Sequence, residues 1–287
     1  PEKLATRLAR LRAELAKQQL DGLIVGREDM FQGEEVPPGD ERLAYISGFT
    51  GSAGFALITA NAAALFSDGR YSLQMISQTD PEDWRCHTLP QYSLNDYLDQ
   101  YPLDELIIGI DPKLVTMAGY ERFADSISKA GGKLIAVDTN PIDSIWFDQP
   151  AMAAPSAWCM DDAVAGQSVA DKLQALADDL RQQNLRAALL SRVDAVNWLV
   201  NMRGGDLPCT PVNLCFAFFD CDHGLTVLGD EGRLAPIMSQ DIAVRPLADL
   251  PDLLALCAGD AVLIEPASLP QAVSSEIAAR DKTRSVR

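Results

Sequence analysis

The sequence predicts an α/β protein built from two related units, each a mixed β-sheet flanked by helices. Three observations carry this. An amphipathic helical stretch runs directly into a short apolar strand, once near the start and again near the middle of the chain. Each such strand leads, through a glycine-bearing segment, to two apolar runs joined by a short turn. Helix-linked strands pair in parallel and tightly turned strands pair antiparallel, so both sheets are mixed, unlike the mostly parallel dinucleotide-binding fold.

The first helix is set by Leu4, Leu8, Leu11 and Leu15, whose spacing lines one face, with Arg7, Arg10, Arg12 and Glu14 filling the remainder. Asp21-Gly22 ends it, and Leu23-Ile24-Val25 is a buried strand stopped by Gly26. Residues 27–41 hold five carboxylates, two prolines and two glycines beyond Arg27 and Glu28, and read as a surface loop. The run from Tyr45 is expected to be a strand end entering Gly48, Gly51 and Gly54. Residues 55–59 and 62–66 form a hairpin around Ala60-Asn61. A helix begins near Tyr71; residues 106–110 are a strand, 120–129 a helix stopped by Gly131-Gly132, and 134–137 the last strand of the unit.

The second half repeats the plan. Val169, Leu173, Leu176 and Leu180 make the helical face, and residues 185–190 contain the matching strand. The segment from Trp198 to Asp206 takes the place of the Tyr45 segment. Residues 214–219 and 225–228 pair across Cys221-Asp222-His223-Gly224, and 261–264 form a late strand. The Pro- and Ala-rich stretch between the halves is a connector, giving domains at 1–140 and 172–287 joined by 141–171. Trp146, Phe147 and Trp158 are expected to be packing anchors between domains.

Composition narrows the function. Of 287 residues, 41 are Asp or Glu and 24 Lys or Arg, a formal net charge of −17, so neither nucleic acid nor an anionic membrane is an expected partner. No apolar run approaches a membrane span, and no secretory signal is visible. Pro1 is not an initiator, so the first residue of the gene product is expected to be missing. The six cysteines form no Cys-x-x-Cys pair and read as reduced, mostly buried thiols of a cytoplasmic protein. Only His87 and His223 are available as nitrogen ligands, in no metal-binding pattern, so no metal and no cofactor is expected in this chain. Ser52 does not sit in a Gly-x-Ser-x-Gly elbow, and the three glycines lack the dinucleotide spacing.

Two arginines stand out. Arg70 follows Asp68-Gly69 at a strand end, where a guanidinium can bind a carboxylate or a peptide carbonyl, or simply pair with Asp68. Arg203 and Asp206 flank two glycines in the second half, where an ion pair between them is the plain structural reading.

These segments carry a resemblance. Tyr45-Ile-Ser-Gly-Phe-Thr-Gly-Ser-Ala-Gly54, Phe66-Ser-Asp-Gly-Arg-Tyr71, Ile145-Trp-Phe-Asp-Gln-Pro150 and Asn197-Trp-Leu-Val-Asn-Met-Arg-Gly-Gly-Asp206 together resemble the front two domains of three-domain Xaa-Pro aminopeptidases (aminopeptidase P). The resemblance implies two creatinase/prolidase N-terminal-like domains. It also implies that a pita-bread catalytic domain, holding two divalent ions, usually manganese, is absent from this chain. The parent would be a metallopeptidase removing an N-terminal residue before proline, with peptides having proline at position 2 and the missing domain as partners. A homodimer is also expected. By position, Arg70 would hold substrate, with Asp68, Tyr71, Arg203 and Asp206 in support and no catalytic residue here. The loop bearing Asp29 and Glu34 resembles one near the family's active-site mouth, with Gln32 where relatives often carry histidine. The competing readings are a stand-alone peptide-binding or regulatory module without peptidase activity, and an amidinohydrolase-like or proline-dipeptidase-like protein.

Overall fold

The computed structural model describes residues 3–152, 155–239, 242–257 and 259–279. The chain divides into two compact units, residues 1–30 with 34–151, and residues 31–33 with 152–287.

In the first unit, α1 (Leu4–Lys17) buries Leu8, Leu11 and Leu15 and leads into β1 (Gly22–Gly26). Then come α2 (Arg42–Ser47), β2 (Phe55–Thr59), β3 (Ala63–Asp68), α3 (Ser72–Gln78), β4 (Arg85–Leu89), α4 (Leu94–Gln100), β5 (Ile107–Ile110), α5 (Met117–Lys129) and β6 (Lys133–Ala136). The strands lie in the order β4-β3-β2-β1-β5-β6. β1–β2 and β2–β3 are antiparallel; β3–β4, β1–β5 and β5–β6 are parallel. Apolar side chains fill both faces of the sheet, one cluster lying with α1 and the other with α4 and α5.

The second unit holds β7 (Trp158–Cys159), α6 (Asp162–Ala165), α7 (Val169–Gln182), β8 (Ala187–Leu190), α8 (Val193–Leu199), β9 (Met202–Arg203), β10 (Phe216–Asp220), β11 (Gly224–Leu228), α9 (Glu231–Leu234), β12 (Ile242–Arg245), α10 (Leu250–Leu256), β13 (Val262–Leu263) and α11 (Gln271–Ala279). Its main sheet runs β12-β11-β10-β8-β13. β8–β10 and β10–β11 are antiparallel, and β11–β12 and β8–β13 parallel. Its five strands repeat the order and pairing directions of β4-β3-β2-β1-β5 in the first unit, with β8 standing for β1 and β13 for β5. The pair β7–β9 is a separate two-stranded ribbon.

Several expectations are corrected. The Tyr45 segment is not a strand end but helix α2, closed by Gly48 in the left-handed conformation at φ 81°. Its apolar residues are buried on all sides, so no periodicity distinguished helix from strand. The Trp198 segment likewise begins in helix α8. The 27–41 loop is not wholly a surface feature, because Asp29, Val36 and Pro37 are buried. Of the proposed aromatic anchors only Trp146 is buried, stacked on Tyr45 at 4.4 Å; Phe147 is 82% and Trp158 54% exposed. All six cysteines are free, but only Cys215 and Cys257 are buried.

The segment after β6 is clamped to its own unit. Arg42 makes a two-point ion pair with Asp143 (2.8 and 3.0 Å) and a further one with Asp40. The Gln149 side chain donates to the Gly39 carbonyl at 2.7 Å, and a Cβ built on Gly39 would overlap the Pro150 carbonyl oxygen.

Candidate functional site

Strand β3 delivers Asp68 to the edge of the first unit, and a single 3-10 turn over Gly69–Tyr71 follows. Asp68 caps that turn by accepting the Arg70 backbone N–H at 2.9 Å. The same carboxylate accepts Nε of Arg70 at 3.0 Å and Nη2 at 2.8 Å, a two-point grip on one side of the guanidinium. This contact raises the arginine's pKa and lowers that of the Asp68 carboxyl, so both stay ionised. Arg70 remains 62% exposed, with Nη1 and the outer edge of Nη2 available to an acceptor.

Tyr71 braces the group from beneath. Its ring lies 5.1 Å from the guanidinium and meets Phe49 edge-on at 5.7 Å. Its hydroxyl is 2.7 Å from Ser52 Oγ, a bond that lowers the phenol's pKa. Ser67, fully buried on β3, donates to the Ala53 carbonyl at 2.5 Å and so fixes the loop that carries Ser52. The glycine-bearing segment is therefore a frame for Tyr71. Such an arrangement can hold a carboxylate or carbonyl oxygen.

The second unit carries a diverged copy that sequence reading missed. After β11 the chain reads Asp230-Glu231-Gly232-Arg233, one residue longer than Asp68-Gly69-Arg70. Asp230 again accepts the arginine's backbone N–H, at 2.9 Å. The Arg233 side chain, however, turns inward and pairs with Asp206, whose own side chain is fully buried and also accepts the Leu214 N–H at 2.7 Å. Asp206 thus pairs with Arg233 and not with its near neighbour Arg203, which donates to the Met202 carbonyl at 2.7 Å. The recurrence of an Asp-Gly-Arg element after each hairpin was the available sequence signal.

Among the described residues no three His, Cys, Asp or Glu side chains converge to hold a metal ion. An acidic group in the second unit, Asp220, Asp222 and Asp260, is occupied by Arg186 at 3.1 to 3.4 Å. Beside it, burial and the Asp220 carboxylate push the Cys257 thiol up to about 12, which leaves it protonated and unreactive at neutral pH. The described residues do not fit a two-ion cage.

Residues 7–145 and, again, residues 148–287 match the creatinase/prolidase N-terminal domain family. The chain belongs to that family, twice over. This creatinase-type tandem is 32% identical over 267 residues to a probable Xaa-Pro aminopeptidase P of Coccidioides posadasii, covering 89% of the chain and 40% of that protein. It is 36% identical over 251 residues to one of Pyrenophora teres f. teres, covering 84% and 38%. The tandem thus spans about two fifths of the length of these curated relatives, and corresponds to their N-terminal and middle domains. Its fold is that of an X-prolyl aminopeptidase from Caenorhabditis elegans, described as a cytosolic enzyme with a di-nuclear active site. The TM-score is 0.89 at 23% identity, over 100% of this chain and 50% of that one. No helix among the described residues is long and apolar enough to cross a membrane.

Proposed function

We propose that this tandem is the non-catalytic, substrate-positioning portion of a cytoplasmic, metal-dependent Xaa-Pro aminopeptidase. Arg70 holds an oxygen of a peptide with proline at position 2, and Asp68 and Tyr71 fix the guanidinium in place. Arg203 and Asp206 act by shaping the second domain and do not touch the peptide. The two divalent ions, manganese in this reading, are held by a further domain of the parent, and a homodimer is its assembly. The observation that carries the reading is the geometry of Arg70. One side of its fork is spent on Asp68 while the other faces outward, supported by a tyrosine that is itself hydrogen-bonded. Its counterpart in the second unit, Arg233, instead turns its fork inward onto Asp206.

The test is hydrolysis of an Xaa-Pro peptide by the intact parent bearing Arg70→Ala or Arg70→Lys. Loss of charge-assisted hydrogen bonds should lower kcat/KM by about 10- to 100-fold, with lysine recovering only part of it. The midpoint of thermal unfolding should not change. Undiminished kcat/KM in Arg70→Ala would refute the assignment, and cleavage by the 287-residue chain alone with manganese would refute the non-catalytic role.

A further inference from the structure

A polar stripe runs along the side of α3 that meets the glycine-bearing loop. Tyr71, Gln74 and Gln78 stand at spacings of three and four, so their side chains share one face. Gln78 reaches back to Thr50 with both ends of its amide. Oε1 accepts the Thr50 backbone N–H at 2.9 Å, and Nε2 donates to Thr50 Oγ1 at 2.9 Å. A backbone N–H can only donate, so it fixes which way round the amide sits. Gln74 donates from Nε2 to the same hydroxyl and to Gln78 Oε1, both at 3.1 Å. At the other end of the stripe Tyr71 is bonded to Ser52. Thr50 and Ser52 are therefore both tied to one short helix.

The segment 50–52 lies between two fixed points. The Phe49 N–H donates to Ser47 Oγ at 3.1 Å, and the Ala53 carbonyl accepts Ser67 Oγ. Gly51 at its centre rests on the Phe49 ring, and a Cβ there would run into that ring. Thr50 itself is exposed, so water would serve its polar groups if the clamp opened, and the clamp contributes little to stability. What it supplies is direction, because a hydrogen bond weakens steeply once its partners are misaligned. The second unit gives the contrast. The residue after its arginine is Leu234, which has no hydroxyl to be held, and both lie in the four-residue α9. There the arginine turns inward.

We infer that Gln78 is a positioning residue for Arg70. It pins Thr50; Thr50 sets the place of Ser52; and the Ser52 hydroxyl orients the Tyr71 ring, 5.1 Å from which the guanidinium lies. Gln78 touches no substrate and acts only through these three residues. The inference rests on the reading of Arg70 as a substrate contact, and adds that the polar stripe of α3 decides where the free edge of the fork points. With the clamp open, the tyrosine ring and the guanidinium above it explore more orientations. Fewer molecules then present the fork squarely to a peptide oxygen, at no large cost to the fold.

The Tyr71 phenol reports on the clamp, because the Ser52 bond is the first cause of its lowered pKa. Alkaline difference titration of the 287-residue chain, with the matching Tyr71→Phe protein subtracted, isolates it. In Gln78→Met, close in length but without the amide, the phenol's pKa should rise toward the ordinary 10.0. In a Ser52→Ala background the same substitution should add no further rise. In the intact parent, Gln78→Met should lower kcat/KM for an Xaa-Pro peptide by about 3- to 10-fold, the equivalent of one neutral hydrogen bond. It should lower it no further once Arg70 is replaced by alanine. The midpoint of thermal unfolding should barely move. An unchanged Tyr71 titration would overturn the inference, and so would an equal loss of turnover with and without Arg70. A weakened Arg70→Ala beside a fully active Gln78→Met would sink this inference alone, whereas undiminished turnover in Arg70→Ala would sink the reading of Arg70 on which it rests.

Discussion

Asp206 has a fully buried side chain, and its partner Arg233 is 14% exposed. Taking one charge away leaves the other stranded in a low-dielectric setting, so Asp206→Asn should cost about 3–5 kcal/mol, read as a lowered urea midpoint. Pairing it with Arg233→Met should recover much of that loss. The exposed Asp68–Arg70 pair was legible because its two residues are neighbours in sequence. The buried pair was not, because Asp206 and Arg233 meet only through the fold, and Arg203 lay nearer along the chain. His87 offers a second test. It is stacked on Phe66 and Tyr92, its Nε2 is buried without a hydrogen-bond partner, and burial, aided by Arg85, lowers its pKa from the ordinary 6.5. The unfolded chain therefore takes up a proton that the folded one resists. His87's contribution to stability is full above about pH 6.5 and is lost as the pH falls toward the depressed folded value. Equilibrium unfolding followed from about pH 7 to 5 should show this slope, flattened in His87→Phe.

At the scale of elements, α1 and α7 were readable from one buried and one solvated side, both hairpins from an abrupt turn, and β1 from a short apolar run bounded by Asp21-Gly22 and Gly26. β4 was not: it edges its sheet and shows no alternation of burial. For α4 a signal existed and was missed. Ser93 accepts the Asp96 N–H while Asp96 accepts the Ser93 N–H, and Leu94, Tyr97 and Leu98 form the buried stripe. Ser93→Ala removes half of that reciprocal cap and should destabilise the first unit by about 1 kcal/mol, measurable as a shift in the denaturant midpoint. Helix α2 was misread for a physical reason: a helix of under two turns, buried all round, leaves no pattern in sequence.

For the molecule as a whole, duplication was legible from element order, while its asymmetry was not. Element order could not show that one residue, Glu231, separates an outward arginine from an inward one. The net charge of −17 set an expectation against polyanionic partners without naming any partner, since charge reports on association and not on fold. The overlap between Gly39 and Pro150 has a consequence of another kind. The residues by which the polypeptide leaves its first half lie so close to Gly39 that position 39 has no room for a side chain. They form a rigid abutment where an ordinary linker would slacken, so a methyl group added at position 39 should work like a wedge, prising out residues 149–150 and giving proteases a cut site at that spot.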